Sequence, residues 1–159
     1  MHYSGNGITS IKRSHRKSVA LAVDDDGNFR ECIRMMLRIG GFSETIGGGD
    51  VEAALAVASR RPLDLIVSDW NMAPYTGLDL LRAVRANAAT REIPFILVTA
   101  SLSEDAWRGA LELGATDFLV KPFSIEQLHD SANISMELTQ RRVQSATILQ
   151  YRRDLRQRR

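Results

Sequence analysis

The sequence predicts an α/β domain: a doubly wound sheet of five parallel strands, with an extended helix at the C-terminal end. Three observations carry this prediction. First, there are four continuous apolar runs of strand length: Val19-Ala20-Leu21-Ala22-Val23, Leu65-Ile66-Val67-Ser68, Phe95-Ile96-Leu97-Val98 and Phe118-Leu119-Val120. They do not alternate with polar residues, as befits strands covered on both faces by helices. Second, segments with helical spacing separate them, so strand and helix patterns alternate along the chain. Third, each run delivers a polar group at its C-terminal end: the pair Asp24-Asp25, then Asp69, Thr99 and Lys121. That edge of an open parallel sheet is where ligands bind.

The elements follow in order. A strand at 19–24 leads to a helix near 28–39, with Phe29, Cys32, Ile33, Met36 and Leu37 at helical spacing and Gly40-Gly41 as its stop. A short strand near 43–46 runs into Gly47-Gly48-Gly49, and a helix follows from Asp50 to Ser59. Arg61-Pro62 breaks to the strand 64–69. A loop through Pro74 and Gly77 opens a helix near 78–86, and Pro94 precedes the strand 95–99. Ser103 is a candidate N-cap, with Ala106 at N3, for a helix running to Leu113 before Gly114. The strand 116–120 and a last helix capped by Ser124 complete five β–α units. Right-handed crossovers leave few topologies for such a chain.

Composition sets broad limits. A chain of 159 residues with 44% apolar content builds a full core without disulfide staples. The single cysteine, Cys32, excludes an internal disulfide framework and suits a reducing compartment. No stretch approaches the roughly 20 apolar residues of a membrane span, and the N-terminus has no signal-like apolar region. The expectation is a soluble, cytoplasmic protein. The net charge of +2 conceals a pattern. Residues 1–18 carry four basic residues and no acid, residues 124–159 carry seven Arg against four acids, and the middle is acidic. Basic ends attract nucleic acid or anionic surfaces; a solvated tail and a solvated helix face are the plainer explanation.

The candidate chemistry lies at the strand ends. Asp24, Asp25 and Asp69 would crowd three carboxylates into one pocket, where each raises the others' pKa unless a cation intervenes. Mg²⁺ suits that pocket, being a hard ion that takes oxygen ligands and bridges to phosphate. A carboxylate beside it can attack phosphorus and become an aspartyl-phosphate. Lys121 supplies a point charge for phosphoryl oxygens and Thr99 a hydroxyl. Phosphoryl transfer needs mainly positioning and charge neutralisation, so this small set of groups is sufficient. Singly, each is an ordinary surface residue; the joint order and strand-end placement make the case.

These residues carry a resemblance. Val23-Asp24-Asp25, Ser68-Asp69-Trp70-Asn71-Met72 with Gly77 beyond, Val98-Thr99-Ala100 and Phe118-Leu119-Val120-Lys121-Pro122-Phe123 resemble the receiver domain of bacterial response regulators, in particular the single-domain CheY type. The resemblance spans about residues 18–138. It implies a flavodoxin-like sheet of order 2-1-3-4-5. It implies Asp69 as phosphoacceptor, Asp25 as a direct Mg²⁺ ligand, Asp24 as a ligand mainly through water, and the Asn71 backbone carbonyl as a further ligand. Thr99 and Lys121 would bind the phosphoryl group, with Ala100 leaving room for it. Thr99 and Phe118 would form the switch. The donor would be a sensor histidine kinase or a His-phosphotransfer protein, and an output protein would read a changed surface on the last two β–α units.

Three departures from that family stand out. Ala73 follows the Met where the family usually has Pro, and Pro74 comes one residue later, so this loop is expected to be reshaped. Phe118 replaces the frequent Tyr and has no hydroxyl to bond. Asp26 adds a third acid, expected to cap the first helix rather than ligate. Other features are set aside. Gly47-Gly48-Gly49 is no phosphate loop, because no Gly-Lys-Ser/Thr follows. His2, His15 and His129 lack ligand spacing and are expected in solvent. Cys32 is expected in the core, and Trp107 in surface or partner packing.

The chain is thus expected to comprise a basic tail (1–17), a receiver domain (18–138) and a basic helical extension (139–159). Ile134, Leu138, Val143, Ile148, Leu149 and Leu155 continue past the receiver's need among Arg and Gln, with no Gly or Pro. The extension could pair two chains, fold back or bind a partner, and it is too short for a DNA-binding output domain. Two other function classes compete. One is an adaptor or dimerisation module acting through the basic helix, with nucleic acid as a less favoured partner. The other is an Asp-nucleophile, Mg²⁺-dependent phosphatase. That enzyme needs a second Asp two residues after the nucleophile, and Asn71 stands there, so turnover beyond slow autodephosphorylation is not expected.

Overall fold

The computed structural model describes residues 17–101 and 103–157. The predicted tail, 1–17, lies almost wholly outside these residues, as do His2 and His15. Ten elements alternate: β1 (Val19–Val23), α1 (Gly27–Ile39), β2 (Glu44–Gly48), α2 (Val51–Arg60), β3 (Leu65–Asp69), α3 (Gly77–Ala86), β4 (Phe95–Thr99), α4 (Glu104–Glu112), β5 (Asp117–Val120) and α5 (Ile125–Gln157). The five strands pair in parallel in the order β2-β1-β3-β4-β5. Fold class, strand order and the long last helix are as the sequence predicts.

The strands are buried on both sides because their side chains point alternately to two cores. Leu21, Val23, Ile66, Phe95 and Leu97 meet Val51 and Ala54 of α2, Leu80, Leu81 and Val84 of α3, and Ala110 of α4. Their neighbours Ala20, Ala22, Leu65, Val67, Ile96, Val98 and Leu119 meet Ile33 and Leu37 of α1 and Leu128 and Ala132 of α5. The small residues Ala20 and Ala22 face the α1–α5 side. Two helices therefore cover one face and three the other. The order reverses between β2-β1 and β1-β3, so a crevice opens beyond the carboxyl ends of β1 and β3.

Helix starts are set by short polar side chains that accept from otherwise unpaired amides. Asp26 accepts from the amides of Asn28 and Phe29, which gives it the expected capping role. Asp50, Thr76 and Ser103 cap α2, α3 and α4. Ser124 and Gln127 exchange bonds at the start of α5.

Three expectations are corrected. The second strand does not stop before the glycines but runs through Gly47 to Gly48, because parallel pairing with Ala22 and Val23 fixes them as strand. Cys32 is exposed, since α1 buries the Ile33–Leu37 stripe and Cys32 is rotated off it. His129 is fully buried rather than solvated. Its Nε2 lies 2.7 Å from the Met36 carbonyl at the end of α1, which makes Nε2–H the donor. A Cβ at Gly40 would meet that ring at 2.4 Å, so glycine there lets α5 dock on the end of α1. Nothing in the spacing of one histidine marks such a helix–helix contact.

Arg85, at the end of α3, joins two loops. It donates to the carbonyls of Gly114, Arg91 and Ile93 at 2.7–3.0 Å. Burial draws its pKa down to about 10, with Arg142 adding to the fall, so it stays charged at neutral pH. Beyond Thr139 the last helix leaves the body: residues 140–157 are exposed throughout. Arg142 bonds Glu92 at 2.7 Å across to the loop before β4. Both partners are exposed, and such a pair contributes at most about 1 kcal/mol.

Candidate functional site

The carboxyl ends of β1 and β3 bring Asp24, Asp25 and Asp69 together, with one carboxylate oxygen of each within 4.8 Å of the others. Asp24 and Asp69 are buried, whereas Asp25 faces solvent. Lys121, from the end of β5, reaches across β4 to them. Its Nζ lies 3.1 Å from Asp69 Oδ1 and 3.5 Å from Asp24 Oδ2. Asp24 Oδ1 accepts the Asp26 amide at 2.9 Å, while its buried Oδ2 has no hydrogen-bond partner among the described residues. Its carboxyl is held above its ordinary value. Burial is the largest cause; the Asp26 amide opposes it, Asp69 adds to it, Lys121 opposes it, and Asp25 adds to it. A cation beside the carboxyl would oppose that rise.

Thr99 is buried at the end of β4, beside Asp69 in the strand order. Its hydroxyl donates to the Ser101 carbonyl at 2.6 Å, so the proton is engaged within its own loop. Ala100 and Asn71 are exposed at the mouth. Phe118 is half-buried against the core and meets Trp107 edge-on, with centroids 5.9 Å apart. Trp107 itself sits at the surface, as expected. After β3 the chain turns through Trp70 and Met72, both packed inward, to exposed Ala73, Pro74 and Tyr75. The Ala73–Pro74 and Lys121–Pro122 bonds are both cis.

Gly77 closes that turn. Its amide donates to the Trp70 carbonyl at 2.8 Å, and a Cβ there would lie 2.3 Å from the Asp69 carbonyl oxygen. Only a residue without a side chain lets α3 start this close to the strand that carries Asp69.

Asp24, Asp25, Asp69, Asn71, Thr99 and Lys121 thus lie at this edge of the sheet, whereas Phe118 lies inside β5, opposite Leu97. Four strand ends, those of β1, β3, β4 and β5, bring together three carboxylates, a threonine and a lysine. The chain belongs to the response regulator receiver family. The family described as "Response regulator receiver domain" matches residues 20–133. The chain is 38% identical over 110 residues to the chemotaxis protein CheY of Pseudomonas aeruginosa, covering 69% of this chain and 89% of that protein. It is 37% identical to the phosphate regulon transcriptional regulatory protein PhoB of the same organism, but covers only 47% of it. Among solved structures, CheY4 of Vibrio cholerae superposes with a TM-score of 0.69 at 33% identity, over 73% of this chain and 96% of that one. It is therefore a response regulator receiver domain of two-component signalling. No helix among the described residues is long and apolar enough to cross a membrane.

Two features escaped the sequence. Phe29 lies with its ring centroid 3.9 Å from Lys121 Nζ, and Phe123 meets Phe29 edge-on at 6.0 Å. An aromatic on the first turn of the helix after the acidic pair is the available signal, but in sequence it reads as core. The second is Ser131, which donates to Asp117 at 2.6 Å and ties α5 to the start of β5.

Proposed function

We propose that this receiver is a phosphorylation-driven switch that accepts a phosphoryl group on Asp69. The supporting observation is the convergence of three carboxylates within 4.8 Å, with Lys121 3.1 Å from Asp69 Oδ1. The donor class is a phosphohistidine, on a sensor histidine kinase or a His-phosphotransfer protein. An Asp69 carboxylate oxygen attacks phosphorus, and the P–N bond breaks with its electron pair going to the imidazole.

The residues present fit Mg²⁺: all donors are oxygens, and Asp24 Oδ2 is buried without a hydrogen-bond partner. Asp24, Asp25, Asp69 and the Asn71 backbone carbonyl would hold the ion, which would neutralise charge on the phosphoryl oxygens. Lys121 then neutralises a phosphoryl oxygen from its position against Asp69. Thr99 exchanges its Ser101 carbonyl for the phosphoryl group. That movement biases an existing equilibrium in which Phe118 turns inward from Trp107. The output surface is built by α4, β5 and α5, where Trp107, Leu111, Val120 and Ile134 are exposed. Turnover is limited to slow loss of the phosphoryl group, because Asn71 stands where a phosphatase of this type needs an acid.

Intact mass after incubation with Mg²⁺ and acetyl phosphate tests the reading. The wild-type chain is expected to gain one acid-labile phosphoryl group, only with Mg²⁺. A gain that persists in Asp69→Asn would sink the assignment.

A second role is carried by the extension. We read residues 18–138 as the receiver and 139–159 as an interaction element. On the α5 wheel Arg141, Arg142, Arg152, Arg153 and Arg156 fall within an arc of about 120°. Leu149 lies within that arc and Ile148 just beyond its edge, and both are exposed. Residues 140–157 are exposed throughout, and most helical stability in proteins comes from tertiary packing, so a partner surface would stabilise this part of α5. Two such arginine faces repel each other, which favours an acidic partner, or a dimer contact made by another face of the helix.

A further inference from the structure

One aromatic side chain, Phe29, lies against the site without being one of its ligands. Phe29 presents its ring to Lys121, with Nζ 3.9 Å from the centroid, while the same ammonium lies 3.1 Å from Asp69 Oδ1 and 3.5 Å from Asp24 Oδ2. A cation over an aromatic face at this distance is attracted by the ring's quadrupole. Phe123 meets the Phe29 ring at an interplanar angle of 88°, the edge-to-face geometry that aromatic pairs prefer. Phe123 comes two residues after Lys121. The loop that carries the lysine is therefore docked on the ring that touches its ammonium.

We propose that Phe29 is a positioning residue for Lys121, holding the ammonium over the carboxylate pocket through the stages of phosphoryl transfer. The proposal rests on the reading of Asp69 as phosphoacceptor. Lys121 is a long side chain, partly exposed, on four rotatable carbons. Before reaction, two carboxylates hold it. Once a divalent cation neutralises those carboxylates, that attraction weakens and the like charge of the cation repels the ammonium. The phosphoryl oxygen that Lys121 is to meet has not yet arrived. Among the described residues, the Phe29 ring is the partner of the ammonium whose attraction neither metal binding nor phosphorylation alters. An aliphatic side chain of similar size would pack the same gap and give the charge no hold.

The test compares Phe29→Leu and Phe29→Tyr with the wild type in the full chain. Phe29→Leu keeps apolar bulk and loses the ring; Phe29→Tyr keeps the ring at this half-buried position. Two readouts are needed. One is the rate of phosphorylation by acetyl phosphate at saturating Mg²⁺. Phe29→Leu is expected to slow it about three- to tenfold, the equivalent of one cation–π contact, and Phe29→Tyr to restore it. The other is the proton shift of the Lys121 ε-methylene in NMR, measured with and without Mg²⁺. Ring current should move it upfield in the wild type and Phe29→Tyr, and the displacement should vanish in Phe29→Leu.

Wild-type rates in Phe29→Leu, or equal slowing in both variants, would overturn the proposal. So would an ε-methylene shift that is the same with and without the ring. If the wild-type chain takes up no phosphoryl group although the ε-methylene is displaced, then the reading of Asp69 as phosphoacceptor fails, and the role built on it falls with it.

Discussion

Gly77→Ala tests how tightly the start of α3 is set against the phosphoacceptor strand. The added Cβ would lie 2.3 Å from the Asp69 carbonyl oxygen, 3.1 Å from its carbonyl carbon and 3.0 Å from Leu97 Cδ2. The first contact is about an ångström short of ordinary van der Waals separation. It is made with backbone at the end of a central strand, so no flexible side chain can absorb it. Overpacking of this kind costs about 1–3 kcal/mol. A helical alanine regains less than about 1 kcal/mol over glycine. The net expectation is a loss of about 1–2 kcal/mol, or a Tm lower by about 2–8 °C for a chain of this size. Relief must move either α3 or Asp69, and a misplacement of about 1 Å at a reacting centre costs on the order of a hundredfold. Urea unfolding and the acetyl phosphate reaction measure the two effects. Gly109→Ala is the control, because a Cβ on α4 meets nothing within 4 Å. That variant is expected to gain about 0.5–1 kcal/mol and keep its rate. Gly77→Ala with the wild-type midpoint and the wild-type rate would refute the close-approach argument.

Five further outcomes are expected. Asp24 binds its proton more tightly folded than unfolded, so metal-free stability should fall as pH rises from its ordinary value of 3.8 through the raised folded value. Mg²⁺ takes the proton's place and should stabilise increasingly through the same window, by about 2.7 kcal/mol at a hundred times its Kd; coincident urea curves with and without Mg²⁺ at every pH would argue against a metal there. Thr99→Ala should still be phosphorylated but lose the coupling to partner binding, and equal partner affinity for the two phosphorylated forms would count against its switch role. Trp70, next to Asp69, should respond to Mg²⁺ in fluorescence in a Trp107→Phe host, and a flat titration there would exclude a nearby ion. Truncation after Leu138 should change unfolding by less than about 0.5 kcal/mol while lowering the sedimenting mass or abolishing a salt-dependent partner complex; identical sedimentation at low and high salt would make the extension inert.

The sequence by itself determined the architecture and which polar residues share one edge of the sheet. Apolar runs of strand length without alternation, bounded by breakers and helical patterns, suit strands covered on both faces, and β–α alternation with right-handed crossovers leaves little freedom of topology. Because such strands run in one direction, Asp24, Asp69, Thr99 and Lys121 at their ends had to share one edge. Capping residues such as Asp26 and Ser103 were legible because their bonds are local. What depended on contacts between distant segments was not. His129 reads as a solvated residue until α5 is packed on the end of α1, and Cys32 reads as core until the rotation of α1 is fixed by Ile33 and Leu37. Gly47 and Gly48 read as a loop until β1 pairs with them. Phe29 reads as packing until the loop after β5 brings Lys121 over its ring. A periodic pattern states which side of an element is apolar. Only the tertiary structure decides what meets that side, because the meeting is set by the docking angles of whole elements, to which no single stretch of sequence refers.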